Sequence, residues 1–210
     1  MTLIRTALTV LAILGLAGCS ALSSLTDATT PLEAFELRAP AEPIQVRGTV
    51  RRDLVIETPT ASGALDTDRI MIRPGPFQAQ YLPGARWTDS APIMLQNLML
   101  RAFEDTNALR YVGRRPLGGA ADYVLISDLT DFQAELNPEG QGVTTRLRLT
   151  ARLVRESDAS VIASRTFQTT AHAASTDTLA IVQGFDQATG AALRDLTGWA
   201  LPLIGLRIAN

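Results

Sequence analysis

The sequence contains no lysine, a single cysteine and a single histidine among 210 residues, and only 5% of it is aromatic. Each shortage removes a class of function. One histidine and one cysteine cannot assemble a zinc site, which needs several such ligands at fixed spacing. Without lysine there is no phosphate loop ending in Gly-Lys-Ser/Thr. No Gly-x-Ser-x-Gly elbow accompanies His172 and Asp177, so a serine hydrolase lacks its nucleophile. His172 reads as a structural or solvent-facing residue near a strand end. Adjacent carboxylates such as Glu104-Asp105 fit a solvated helix end, and Gly118-Gly119 and Gly140-Gln141-Gly142 read as turns. Catalysis and a metal or organic cofactor are therefore not expected. A net charge of −2 gives no basis for nucleic-acid binding.

What is present begins at the N-terminus. Arg5 precedes an apolar run from Ala7 to Leu16, too short to span a bilayer, which takes about 20 residues. Leu16-Ala17-Gly18-Cys19 follows, with the form of a lipobox: a branched residue, two small residues and a thiol to be acylated. The alternatives are an ordinary secretory signal with an incidental cysteine, or a buried apolar helix. Residues 1–18 are read as a lipoprotein signal peptide and residues 19–31 as the lipidated Cys19 with a Ser-, Thr-, Ala- and Asp-rich tether. Residues 32–210 are read as one domain. A single acyl chain anchors only marginally, so the several chains of a lipoprotein cysteine would make the attachment lasting. With Cys19 committed to lipid, stability must come from the core rather than from a disulfide.

A hydrophobic share of 46% against 19% charged residues suits a folded body. Short strands are expected at Ala34 to Arg38, Leu54 to Ile56 and Arg69 to Arg73. Pro74-Gly75-Pro76 is a turn, and Phe77 to Tyr81 returns as a short strand stopped by Pro83-Gly84. Asp89 or Ser90 caps a helix with Pro92 in its first turn and Ala91, Leu95, Leu98 and Ala102 on one stripe. Leu109 to Val112 is a strand, and Tyr123 to Phe132 alternates. In Val143 to Val154 the residues Val143, Thr145, Leu147, Leu149, Ala151 and Leu153 face one way. Thr144, Arg146, Arg148, Thr150 and Arg152 face the other. Val161 to Ala171 pairs with it across a turn at Glu156 to Ser160. A second helix, capped by Ser175 or Thr176, carries Ile181, Phe185, Ala188, Ala192, Leu196 and Trp199, with Gly184, Gly190 and Gly198 weakening it. The fold class is α+β: a mostly antiparallel sheet with two main helices packed on one face.

The segments Arg69-Ile70-Met71-Ile72-Arg73-Pro74 and Gln80-Tyr81-Leu82-Pro83-Gly84-Ala85-Arg86-Trp87 resemble those of the ABC-type transport auxiliary lipoproteins, including the PqiC-like group. Phe35-Glu36-Leu37, the proline-started helix from Asp89 to Phe103, Ala121-Asp122-Tyr123-Val124-Leu125 and the paired strands from Leu149 to Phe167 are similar to that family too. The resemblance transfers no catalytic residue. It implies a lipid-anchored accessory facing the periplasm. Its partner would be an MCE-type substrate-binding subunit and, through that, an ABC permease and ATPase that move lipids or other hydrophobic compounds between membranes. A homo-oligomer is compatible with it. Ser20, in place of the Asp that commonly retains lipoproteins at the inner membrane, favours the outer membrane. The competing reading is a structural lipoprotein that scaffolds envelope assembly or a secretion pore.

Two surfaces are expected to bind a partner. Arg69, Arg73, Tyr81, Arg86 and Trp87, with Phe77, combine arginine and aromatic groups of the kind enriched at interfaces. They equally fit a reading in which Tyr81 and Trp87 cover the sheet and steady the next helix. Arg146, Arg148 and Arg152 form a cationic row suited to carboxylates or lipid phosphates, or else a solvated face. The apolar tail from Trp199 to Ile208 closes the core or meets lipid or a neighbouring subunit.

Overall fold

The computed structural model describes residues 31–137 and 142–209. Cys19 and the signal and tether segments lie outside the described residues. Residues 34–210 form one compact unit.

The longest strands set the frame. β8 (Tyr123–Leu136), β9 (Val143–Arg155) and β10 (Ser160–Ala173) run antiparallel, β8 to β9 from Tyr123 opposite Arg155 to Leu136 opposite Val143. The alternation expected in β9 is realised. Its odd-numbered residues from Val143 to Leu153 are all buried, and its even-numbered ones from Thr144 to Val154 all keep solvent exposure. Such a period of two arises because successive Cβ atoms leave opposite faces of a pleated strand.

The shorter N-terminal strands are β1 (Glu33–Phe35), β2 (Val46–Arg47), β3 (Val50–Ile56), β4 (Thr60–Ala61), β5 (Arg69–Arg73), β6 (Gln80–Trp87) and β7 (Leu109–Gly113). On the edge away from β9, β8 meets three parallel partners in succession: β3 at Tyr123 to Leu125, β4 at Asp128 and Leu129, and β5 at Ala134 and Glu135. β7 extends the sheet beyond β3, while β6 and then β1 extend it beyond β5. The sheet is therefore mixed, with its long pairings antiparallel. β11 (Arg207–Ile208) and β2 make a separate two-stranded ribbon.

β6 departs from the expected short strand. It runs straight through Pro83-Gly84 to Trp87. Between the pairs Arg69–Arg86 and Met71–Tyr81, β5 has one residue and β6 has four. The surplus is a bulge that absorbs Pro83, which has no N–H to donate, and Gly84 at φ +70°, a conformation glycine adopts without a Cβ clash. The ladder resumes where the Trp87 N–H donates to Asp68 O at 2.7 Å. The first strand is also shorter than expected. It ends at Phe35, and Asp186 captures the Arg38 backbone N–H at 2.8 Å.

Both helices lie on one face of the sheet. α1 (Ala91–Glu104) starts after Ser90, whose extended backbone sets the cap although its side chain makes no capping bond. Pro92 sits in the first turn, where a missing N–H costs nothing. α2 (Thr178–Leu203) is capped at Asp177 rather than at Ser175 or Thr176. Its glycines do not break it, and one of them is needed. A Cβ on Gly184 would stand 2.9 Å from Cγ2 of the wholly buried Thr145 on β9, so the hydrogen side chain lets helix and sheet approach. Trp87, Phe132 and Phe185 stack between sheet and α2, with ring centroids 4.8 to 5.8 Å apart. Leu201, Ile204 and Leu206 of the C-terminal segment are buried in the same core. Among the described residues no helix is long and apolar enough to cross a membrane.

Candidate docking face

The outer face of the sheet, opposite the helices, gathers side chains that are far apart in the chain. β9 contributes Arg146, Arg148 and Arg152, and β8 contributes Asp128, Asp131, Gln133 and Glu135 at the registered positions beside them. Because β5 pairs with the last turn of β8 pairing, Arg73 lies next to Glu135. Arg69 lies four residues back along β5, with its guanidinium 5.4 Å from the Tyr81 ring centre on β6. The two surfaces expected separately from the sequence are thus one face.

Three of its six arginines, Arg86, Arg146 and Arg152, are already engaged by carboxylates. Arg146 grips Glu135 through two bonds, Nε to Oε1 at 3.2 Å and Nη2 to Oε2 at 3.1 Å. Arg152 Nη1 donates to Asp128 Oδ2 at 2.5 Å, and Thr60 Oγ1 donates to the other oxygen of that carboxylate. The hydrogen bond from Arg146 holds the Glu135 carboxyl below its usual range, against the opposing effect of burial, and Gln133 and the nearby Arg73 add to the lowering. Asp128 is lowered first by Thr60 and then by Arg152. Gln133, only 2% exposed, donates to Glu135 Oε1 at 3.1 Å and accepts from the Phe132 N–H at 2.9 Å.

Among the described residues, Arg69, Arg73 and Arg148 have no acidic side chain within ion-pair distance. The Arg73 Nε is buried and has no acceptor, as is the Arg69 Nε. Arg86 reaches Asp68 at 3.5 Å and the Trp87 carbonyl at 3.3 Å. Tyr81 is 37% exposed and donates to Ala64 O at 3.2 Å. Phe77, just past the proline turn, is fully exposed.

Trp87 needs correction as a docking residue. It is 0% exposed and belongs to the aromatic stack under the sheet, so it holds β6 onto α2 and presents nothing to a partner. Sequence reasoning also passed over Asp128 and Glu135, the anions that pair with Arg152 and Arg146, and Asp131, which stands opposite Arg148 in register. Their signal is the acidic and amide spacing Asp131-x-Gln133-x-Glu135. It matches the arginine spacing of β9 once the two strands are paired as a hairpin.

A second polar cluster lies at the parallel edge. Asp122 accepts from Arg52 Nη1 at 2.8 Å, from the Asp53 N–H at 2.9 Å and from Arg110 Nη2 at 3.4 Å, while Arg110 Nε donates to Asp53 Oδ1 at 2.7 Å. Burial pushes the Asp122 carboxyl up, and the Asp53 N–H and Arg52 outweigh it, leaving it below its usual range. The cluster pins β3 and β7 to the start of β8. His172 faces Asn137 with Nδ1 and Nδ2 3.4 Å apart. No cluster of three His, Cys, Asp or Glu side chains suited to a metal ion occurs among the described residues.

The structure is thus a helix-backed α+β sheet whose outer face gathers arginine and exposed aromatic groups. The chain belongs to the family of ABC-type transport auxiliary lipoprotein components, whose sequence model matches residues 35–197. It is similar to protein XCC0632 from Xanthomonas campestris, whose crystal structure superposes with a TM-score of 0.74 at 31% identity, covering 81% of this chain and 96% of that one. A second crystal structure, of an uncharacterized protein, shares the fold with a TM-score of 0.63 at 13% identity, over 80% of this chain and 97% of that one. Protein bll6063 of Bradyrhizobium diazoefficiens is 29% identical over 170 residues, 80% of this chain. The chain spans 44% of the length of that curated relative.

Proposed function

We propose that this protein is a non-enzymatic, lipid-anchored accessory of an ABC transporter, cleaved ahead of Cys19, acylated there and facing the periplasm. Its outer sheet face docks an MCE-type substrate-binding subunit, and through it a permease and an ATPase. The assembly moves lipids or other hydrophobic compounds between the inner and outer membranes. Ser20 after the acylated cysteine favours the outer membrane as the anchor, and several copies act together as a homo-oligomer.

The observation that carries the docking reading is the convergence of Arg69, Arg73, Tyr81, Arg86, Arg146, Arg148 and Arg152 on one face, with Arg69, Arg73 and Arg148 lacking acidic partners among the described residues. Arginine and tyrosine are enriched among residues whose truncation costs the most binding energy. A cation without an internal partner offers its full hydrogen-bonding fork to an incoming carboxylate.

The test is purification of the lipidated protein from detergent-solubilised membranes, with identification of the chains recovered alongside it. Recovery of MCE-type and ATPase subunits is expected, as is its loss in a Tyr81→Ala/Arg148→Glu variant that melts like the parent. Recovery with pore or cell-wall components instead, or unchanged recovery in the variant, refutes the reading. Acylation is tested separately: Cys19→Ser should leave the unprocessed precursor and abolish incorporation of labelled palmitate.

A further inference from the structure

At one end of the sheet, the Pro74-Gly75-Pro76 turn and the ends of β8 and β9 enclose a groove of about 560 Å³. This lies within the range of small-ligand sites, roughly 300 to 1,000 Å³. Its lining falls into two parts. Arg73, Arg146 and Glu135 make a polar end, and Pro74, Pro76 and Leu136 make an apolar one. Leu136 is 40% exposed and Phe77, next to Pro76, is fully exposed, so the apolar part continues outward beyond the groove.

Among the described residues, the charges at the polar end do not balance: Glu135 is the one carboxylate lining the groove, and both of its oxygens are taken by Arg146. Arg73 therefore brings a second guanidinium that has, among the described residues, neither an ion-pair partner nor a hydrogen-bond acceptor, and its buried Nε is unsatisfied. A guanidinium excluded from part of its hydration and left without an acceptor favours an anion at its outer nitrogens. The proline turn fixes the groove wall in advance, so little ordering opposes binding.

We propose that this groove binds a single-chain amphiphile with an anionic head, the head on Arg73 and the chain along Pro74, Pro76 and Leu136. The head is a carboxylate or a phosphate monoester, which share the acceptor geometry that the arginine fork fits. The inference rests on the transport reading above only for the source of such a ligand in the cell.

The probe is decanoate carrying a diazirine at its chain end, applied to the full chain in phosphatidylcholine nanodiscs, with the labelled peptides mapped after illumination. Labelling should concentrate at residues 74–77 and 136. Arg73→Gln should lower it at least fivefold and Leu136→Asn at least twofold, in variants whose thermal melts match the parent. Unlabelled decanoate and decyl phosphate should both compete, and the stronger of the two assigns the head group. Acetate and decyl maltoside should not compete. Labelling unchanged by Arg73→Gln, or competition by decyl maltoside equal to that by decanoate, overturns the proposal. Acetate competing as well as decanoate overturns it too, since it would leave a bare anion site. A negative result leaves the docking reading intact, and failed recovery of a transporter leaves the labelling result intact.

Discussion

The two faces of β9 are built from the same thirteen residues and answer to different physics. Its inner face, Val143, Thr145, Leu147, Leu149, Ala151 and Leu153, is closed off by α2 and the aromatic stack, and its stabilisation comes from area removed from water. Its outer face carries Arg148, which has no ion pair among the described residues, and Arg146 and Arg152, whose ion pairs are half-exposed and contribute little each, on the order of 0 to 1 kcal/mol. The inner face therefore determines whether the domain folds. The outer face is nearly free to be shaped by what it binds.

That contrast can be broken at several points. The largest effect belongs under the sheet. Trp87→Ala empties the centre of the stack and should cost about 3 to 5 kcal/mol, seen as a melting temperature lower by roughly 10 °C. A loss no greater than that of an exposed substitution would return Trp87 to the surface. Next is Gly184→Ala. The added Cβ meets Thr145 at 2.9 Å, and overpacking of about 1 to 3 kcal/mol should exceed the gain of about 1 kcal/mol in helix propensity. Chemical denaturation should show net destabilisation, and a stabilised variant would mean that α2 sits farther from β9.

Smaller effects are expected on the outer face. The folded value of Glu135 lies below its usual 4.5, so its stabilisation is complete above that value and is lost as pH falls through the folded value. Glu135→Gln should cost under about 1 kcal/mol at pH 7 and reduce the fall in melting temperature below about pH 4.5. An unchanged acid profile would show that the Arg146 pair contributes nothing measurable. The smallest effect on stability is that of Arg148→Ala, within about 0.5 kcal/mol. The same change should weaken recovery of a partner, which would separate binding from folding on a single strand.

How much of this was legible in the sequence follows from the range of each interaction. The β9 alternation and the stripe of α1 are local patterns, and the chain displays them directly. The hairpin of β9 and β10 was equally readable because a short turn joins strands of matching pattern. The path of β6 was not, since a Pro-Gly pair normally ends a strand and only the register with β5 shows that a bulge absorbs it. Trp87 was misplaced for the same reason. The bulge sets which face its side chain takes, and in local sequence an aromatic beside Arg86 looks like a surface anchor. The merging of two arginine groups into one face depends on β5 lying beside the end of β8, a pairing across more than half a hundred residues that no local periodicity encodes. The Asp122 cluster was hidden likewise, as its members come from three separate strands or their approaches.

The succession of parallel partners along one edge of β8 also bears on how the chain folds. β8, β9 and β10 close through short connections, so their loop-closure entropy is small and they can pair early. β3, β4 and β5 must each return from far upstream and find separate stretches of a strand that already exists. The C-terminal meander is thus the template, and the N-terminal half is read onto it segment by segment. In pulsed hydrogen exchange during refolding, amides of β9 should gain protection before those of β3 and β5. The docking face, which needs β5 in place beside Glu135, is completed only in that last stage.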